Sequence, residues 1–103
     1  MADFMKLLQQ AQEIKGKMEQ LQDELKSKSV TGTSGGGMVT AEADGKGEIR
    51  KIRIDPSVVN PADVEMLEDL ILVAVTEAQR KAGELAKEEM SRLAGGLPFK
   101  LPF

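Results

Sequence analysis

The 103-residue chain contains no cysteine, histidine, tryptophan or tyrosine. Without cysteine there can be no disulfide, thiolate zinc site or cysteine nucleophile. Without histidine the commonest general base near neutral pH is missing, and so is the commonest metal ligand. Catalysis by carboxylate, serine or lysine stays open, but no arrangement of these residues points to it. The expectation is a non-enzymatic binding protein with no cofactor, no metal and no small-molecule substrate. Aromatics are reduced to Phe4, Phe99 and Phe103, all near the ends of the sequence. The core must therefore be built from Ile, Val, Leu, Met and Ala. A chain of this length makes one domain with a modest core, taken here as residues 1–103, and so thin an aliphatic core favours pairing with a second copy.

Long apolar runs are also missing. The longest, Leu70 to Val75, is about a third of the ~20 residues that span a bilayer. The first residues, Met-Ala-Asp-Phe-Met-Lys, show no basic region leading into an apolar stretch, so no signal peptide and no membrane partner are expected. A cytoplasmic location follows. The net charge of −3 opposes nucleic-acid binding only as an average. Residues 55–77 hold six acids (Asp55, Asp63, Glu65, Glu68, Asp69, Glu77) and no base, while the rest of the chain holds 14 bases and 11 acids. The acidity belongs to one element and the bases lie elsewhere.

Residues 3–28 read as one long helix. Phe4, Leu7, Ala11, Ile14, Met18, Leu21 and Leu25 follow one another by alternating steps of three and four, a heptad seam that needs another helix against it. Gly16 costs ~1 kcal/mol relative to alanine, too little to break so regular a stripe. Residues 29–55 read as a sheet. Val30 to Ser34 is short and β-favouring, and Gly35-Gly36-Gly37 is a flexible joint or a turn. Met38 to Ala43 alternates, with Val39, Ala41 and Ala43 on one face. Asp44-Gly45-Lys46-Gly47 is a hairpin signal, and Glu48 to Ile54 is the return strand. Ile49 falls out of phase with Ile52 and Ile54, which a bulge or a two-sided strand explains.

Asn60-Pro61-Ala62-Asp63 reads as a helix start, with Asn60 at the N-cap and Pro61 at N1. That helix is expected over residues 61–93. Its first half is apolar on more than one face, so it should cover the sheet and also meet a partner subunit. Its second half carries the small residues Ala78, Ala82, Gly83 and Ala86, which let the first helix approach. Gly95-Gly96 stops it, leaving 95–103 as a tail that is either disordered or docked through Phe99 and Phe103.

The glycine run at 35–37 leads into a strand and lacks the Gly-Lys-Ser/Thr of a phosphate loop, so it reads as a structural turn. The pairs Glu68-Asp69 and Glu88-Glu89 are adjacent on helices, point ~100° apart and do not face each other. The bases carry more. Paired helices would gather them on one projecting rod, and a dimer would present two such rods to duplex phosphates. With no aromatic residue placed to stack on splayed bases, single-strand recognition is disfavoured.

Several segments in this order resemble a known family. They are Met5-Lys6 through Leu25-Lys26, Val30-Thr31-Gly32, Gly35-Gly36-Gly37-Met38-Val39, Gly45-Lys46-Gly47-Glu48-Ile49, Ile52-Arg53-Ile54-Asp55-Pro56-Ser57, Met66 through Ile71 and Gly95-Gly96-Leu97-Pro98. Together they resemble the YbaB/EbfC family of bacterial nucleoid-associated proteins across essentially the whole chain. The resemblance implies an α+β subunit ordered α-β-β-β-α, a tweezer-like homodimer, double-stranded DNA as partner and a place in the nucleoid. Carried onto this sequence, the DNA-contacting candidates are Lys15, Lys17, Lys26 and Lys28 on the first helix and Arg80, Lys81 and Lys87 on the last. The expected dimer core is Val39, Ala41, Ile52, Ile54, Leu67, Leu70, Ile71 and Ala74. The rival reading is a dimeric adaptor or chaperone-like clamp that grips a protein through the same heptad arms.

Overall fold

A computed structural model describes residues 2–95. Helix α1 spans Ala2–Ser27, strands β1, β2 and β3 span Ser29–Ser34, Val39–Asp44 and Ile49–Ile54, and helix α2 spans Val64–Gly95. The strands form one antiparallel sheet in the order β1-β2-β3. The expected α+β class and α-β-β-β-α order are both present. The tail from Gly96 to Phe103 lies outside the described residues.

Val39, Ala41 and Ala43 are fully buried and alternate along β2, the central strand. Ala74, Ala78 and Ala82, spaced by four along α2, are buried too. The helix therefore lies on the sheet through small side chains on both surfaces. Gly32 of β1 makes this closeness possible, because a Cβ there would overlap the Ala74 carbonyl oxygen and the Ala78 nitrogen. Val30, Ile49, Ile54, Leu67, Leu70, Ile71 and Val75 pack around this centre. The core described is aliphatic throughout.

The out-of-phase isoleucine is accounted for by a bulge. Ala41 opposes Ile52 and Glu42 opposes Lys51, but Ala43 opposes Ile49, which leaves Arg50 as the extra residue. Ile49 is thereby returned to the core face. The two hairpin connections use different chemistry. Between β1 and β2, Gly35, Gly36 and Gly37 have φ of 59°, 68° and 95°, a succession that side chains rarely tolerate. Between β2 and β3, the Asp44 carboxylate organises the turn. It accepts hydrogen bonds from the Lys46 and Glu48 backbone N–H groups at 2.9 and 3.0 Å and from Arg50 Nη2 at 2.8 Å.

Helix α2 begins later than the sequence predicts. Asn60 was expected to cap a helix starting at Pro61. Instead Asn60 Oδ1 accepts from Ala62 N and closes a separate turn, and Asp63 Oδ1 accepts from Met66 N as the cap of a helix starting at Val64. Both residues have capping chemistry, and the nearer one to the apolar stripe wins. Asp55 likewise starts a short 3-10 turn over Pro56–Val58. The Ser57 backbone N–H, then its side chain, hold the Asp55 carboxyl below the ordinary carboxylate range.

Candidate nucleic-acid interface

The C-terminal half of α2 runs on beyond the sheet and meets the end of α1. Leu25 and Leu21 of α1 are 4% and 5% exposed there. Gly45 N donates to the Leu25 carbonyl at 2.7 Å, which ties the hairpin to the helix end. Lys28 Nζ lies 4.0 Å from Glu89 Oε1, and farther out Lys17 and Leu21 share a groove with Arg92 and Leu93. Rising numbers on α2 meet falling numbers on α1, so the helices run antiparallel within one chain.

Helix α2 ends at Gly95, two residues past Leu93. The first four turns of α1, residues 2–16, extend beyond it for about 22 Å at 1.5 Å per residue. The heptad seam comes out of cover along this length. Leu25 and Leu21 are buried, Met18 and Ile14 are half-buried, and Leu7 and Phe4 are 63% and 61% exposed. The chain becomes a rod on a small sheet, measuring 72 × 19 × 17 Å.

The seven candidate bases divide into two groups. Arg80 pairs with Glu84 at 2.6 Å, and Lys81 pairs with Glu77 at 3.2 Å. Lys81 also donates to the Thr31 carbonyl at 2.9 Å, fastening α2 to the edge strand β1. Lys28 approaches Glu89 as described. Lys15, Lys17, Lys26 and Lys87 are exposed and form no ion pair among the described residues. In the heptad, Lys15 and Lys17 take the e and g positions on either side of the seam. Residues 2–28 and 78–95 together hold nine bases and eight acids, so attraction for an anion must come from placement and not from net charge.

Outside the candidate set, Lys6, Lys46, Lys51 and Arg53 also form no ion pair among the described residues. Lys51 and Arg53 lie with Thr40 and Glu42 on the outer face of the sheet. Their alternation with Ile52 and Ile54 was the sequence signal for this outward-facing pair. The expected dimer-core residues divide as well. Val39, Ala41 and Ala74 have no accessible surface within the single chain, so they build the subunit core. Ile54, Leu67, Leu70 and Ile71 are half-buried, and Ile52 is 43% exposed. Ile52 opposes Ala41 and so sits on the core face of the sheet, but α2 lies over β1 and β2 and leaves β3 bare.

Over residues 1–97 the sequence matches the YbaB/EbfC DNA-binding family. The chain belongs to that family. This YbaB/EbfC chain is 48% identical over 103 residues to a nucleoid-associated protein of Gemmatimonas aurantiaca, covering 98% of this chain and 99% of that protein. It is 46% identical over 102 residues to one of Rhodospirillum rubrum, covering 99% and 94%. Against one of Acetivibrio thermocellus it is 53% identical over 91 residues, covering 88% and 80%. The crystal structure of an uncharacterized Helicobacter pylori protein superposes with a TM-score of 0.78 at 27% identity, covering 87% of this chain and 95% of that one. YbaB/EbfC is a nucleoid-associated DNA-binding family, not an enzyme family. Among the described residues, no helix is long and apolar enough to cross a membrane.

Proposed function

We propose that two copies of this chain form a tweezer-like homodimer that holds double-stranded DNA between its α1–α2 rods and contributes to nucleoid organisation. The observation that carries the reading is the rod itself. In a chain of a DNA-binding family it places Lys15, Lys17, Lys26 and Lys87 on an arm projecting from the sheet, without ion-pair partners among the described residues. Lysines of this kind act on phosphates as sequence-independent anchors.

The dimer joins through the apolar surface that α2 leaves beside β3. Ile52 is its most telling member, since a core-facing isoleucine has no reason to be 43% exposed unless something covers it. Leu72 and Val73, 64% and 53% exposed on α2, extend the apolar area at this end of the molecule. The acids of residues 55–77 flank it, away from the lysine-bearing arm.

The test is titration of a labelled duplex of arbitrary sequence, followed by fluorescence anisotropy over a range of salt. Eight lysines in a dimer neutralising about eight phosphates give a slope of about −7 in log K against log salt. The double variant Lys15→Glu, Lys17→Glu removes half of them and should reduce the slope to about −3.5 with the dimer intact. Unchanged binding by that variant would exclude the arm at those positions. No binding by the parent chain at low salt would instead favour the protein clamp.

A further inference from the structure

The outer half of α1 presents a seam that no described residue covers. Phe4 and Leu7 on the seam are 61% and 63% exposed, and Leu8 beside it is 46% exposed. A helix meant to stand alone in water has no need of apolar residues repeating about every 3.5 positions. This repeat continues without a break into the part where Leu21 and Leu25 are buried. We propose that the seam is a self-association surface. The outer halves of α1 from two copies of this chain lie antiparallel on each other, with Phe4 opposite the second copy's Ile14 and Leu7 opposite its Ala11.

Packing, charge and continuity select this register. Each layer sets a larger side chain across from a smaller one, whereas a parallel pair would set Phe4 on Phe4 and Ala11 on Ala11. With Phe4 at position a of the heptad, Asp3 and Lys17 are g residues and Leu8 is an e residue. The e and g residues flank the seam and set orientation, and antiparallel helices bring g against g and e against e. Asp3 therefore meets the second copy's Lys17 at both ends of the pair. Neither residue forms an ion pair among the described residues. On the other flank Leu8 meets the second copy's Leu8, which accounts for an apolar side chain outside the seam. A parallel pair would face Leu8 with Asp3. Sliding the antiparallel pair inward by one heptad would face Leu8 with Lys15 and Phe4 with Leu21, which is already buried. Sliding it outward would leave Ala11 and Ile14 uncovered. The overhang of residues 2–16 is about 22 Å long, and in the chosen register two overhangs cover each other from end to end. The second α1 points the same way as α2 and continues its line beyond Gly95. The positive end of its dipole then faces the negative end of α2. On the dimer reading above, the two arms of one dimer leave its base in the same direction, so the second copy belongs to another dimer.

The pairing needs no DNA, and its test contains none. Sedimentation equilibrium would compare the parent chain with Leu7→Glu from about 10 µM to about 1 mM, the range of a small transient interface. The expected result is association in the parent that Leu7→Glu lacks, with the hydrogen exchange of β2 unchanged as the control for folding. Equal masses in the two overturn the proposal. The mass of Leu7→Glu reports separately on the sheet-end dimer: a dimer supports that reading, and a monomer excludes it without touching the arm pairing. Charge reversal tests the register. Asp3→Lys and Lys17→Asp should each weaken the association about fivefold, because each exchanges two ion pairs for two repulsions. The double variant should recover the parent constant, and weakening that it does not reverse overturns the register. The absence of native cysteine permits a third measurement. A short bismaleimide should join two chains through Leu8→Cys and not through Lys6→Cys, which faces away from the seam. Equal yields overturn the arrangement.

Discussion

At the scale of single residues, two side-chain positions bear most on whether the small core closes. Gly32 is held against the backbone of α2, so even one methyl group has nowhere to go. Gly32→Ala is expected to destabilise the chain by about 1–3 kcal/mol, as overpacking does, measurable as a lower urea midpoint. Asp44 is 2% exposed. Burial alone would raise its pKa, but the hydrogen bonds from Glu48 N, Arg50 and Lys46 N together outweigh burial and hold it below the ordinary 3.8. A carboxylate whose pKa falls on folding stabilises the fold fully above its unfolded pKa. That contribution is lost as pH falls through the lowered value. Thermal unfolding of the parent should therefore show a drop in Tm below about pH 4. In Asp44→Asn that component should be absent, with a Tm already reduced at neutral pH. Neither role was legible in the sequence, where Gly32 was one residue of a short β-favouring segment and Asp44 one of four turn residues.

At the scale of elements, local periodicity carried most of the fold. The heptad over Phe4 to Leu25 and the alternation of Val39, Ala41 and Ala43 are properties of neighbouring residues, and a single sequence displays them. The start of α2 was misplaced because Asn60 and Asp63 have the same capping chemistry three residues apart, and only the turn closed by Asn60 separates them. The division of the seven bases into paired and unpaired was equally hidden, since Lys81 meets Thr31 across 50 residues of chain. The bulge at Arg50 was legible as a phase error but not as an ion-pair site. The attachment of α1 to α2 rests on few side chains, with Leu25 the deepest at 4% exposure. Leu25→Ala should cost about 2–5 kcal/mol if α1 unfolds with the rest of the chain. Loss of α1 helicity by circular dichroism while the sheet stays protected would show the helix to be a separate cooperative unit.

At the scale of the whole molecule, the two ends differ in chemistry. One carries the bare β3 face and the acids of residues 55–77, and the other carries the lysines and the open seam. If the first end is where two copies meet, Ile52→Asp places a charge in an apolar interface. A penalty of about 3 kcal/mol would raise the dimer dissociation constant at least 100-fold. Sedimentation equilibrium reads this directly, and a variant that stays dimeric would move the interface elsewhere. DNA affinity should fall with it, because one arm alone loses half the phosphate contacts. Among the described residues, the outer half of α1 is anchored at Leu21 and Leu25, as a lever is at its fulcrum. A tilt of only 10° at that anchorage sweeps the end of a 22 Å overhang through about 4 Å. Small rearrangements of two leucines are thereby magnified into changes of grip width, and a pair of such levers adjusts to the girth of what lies between them without any change in the sheet.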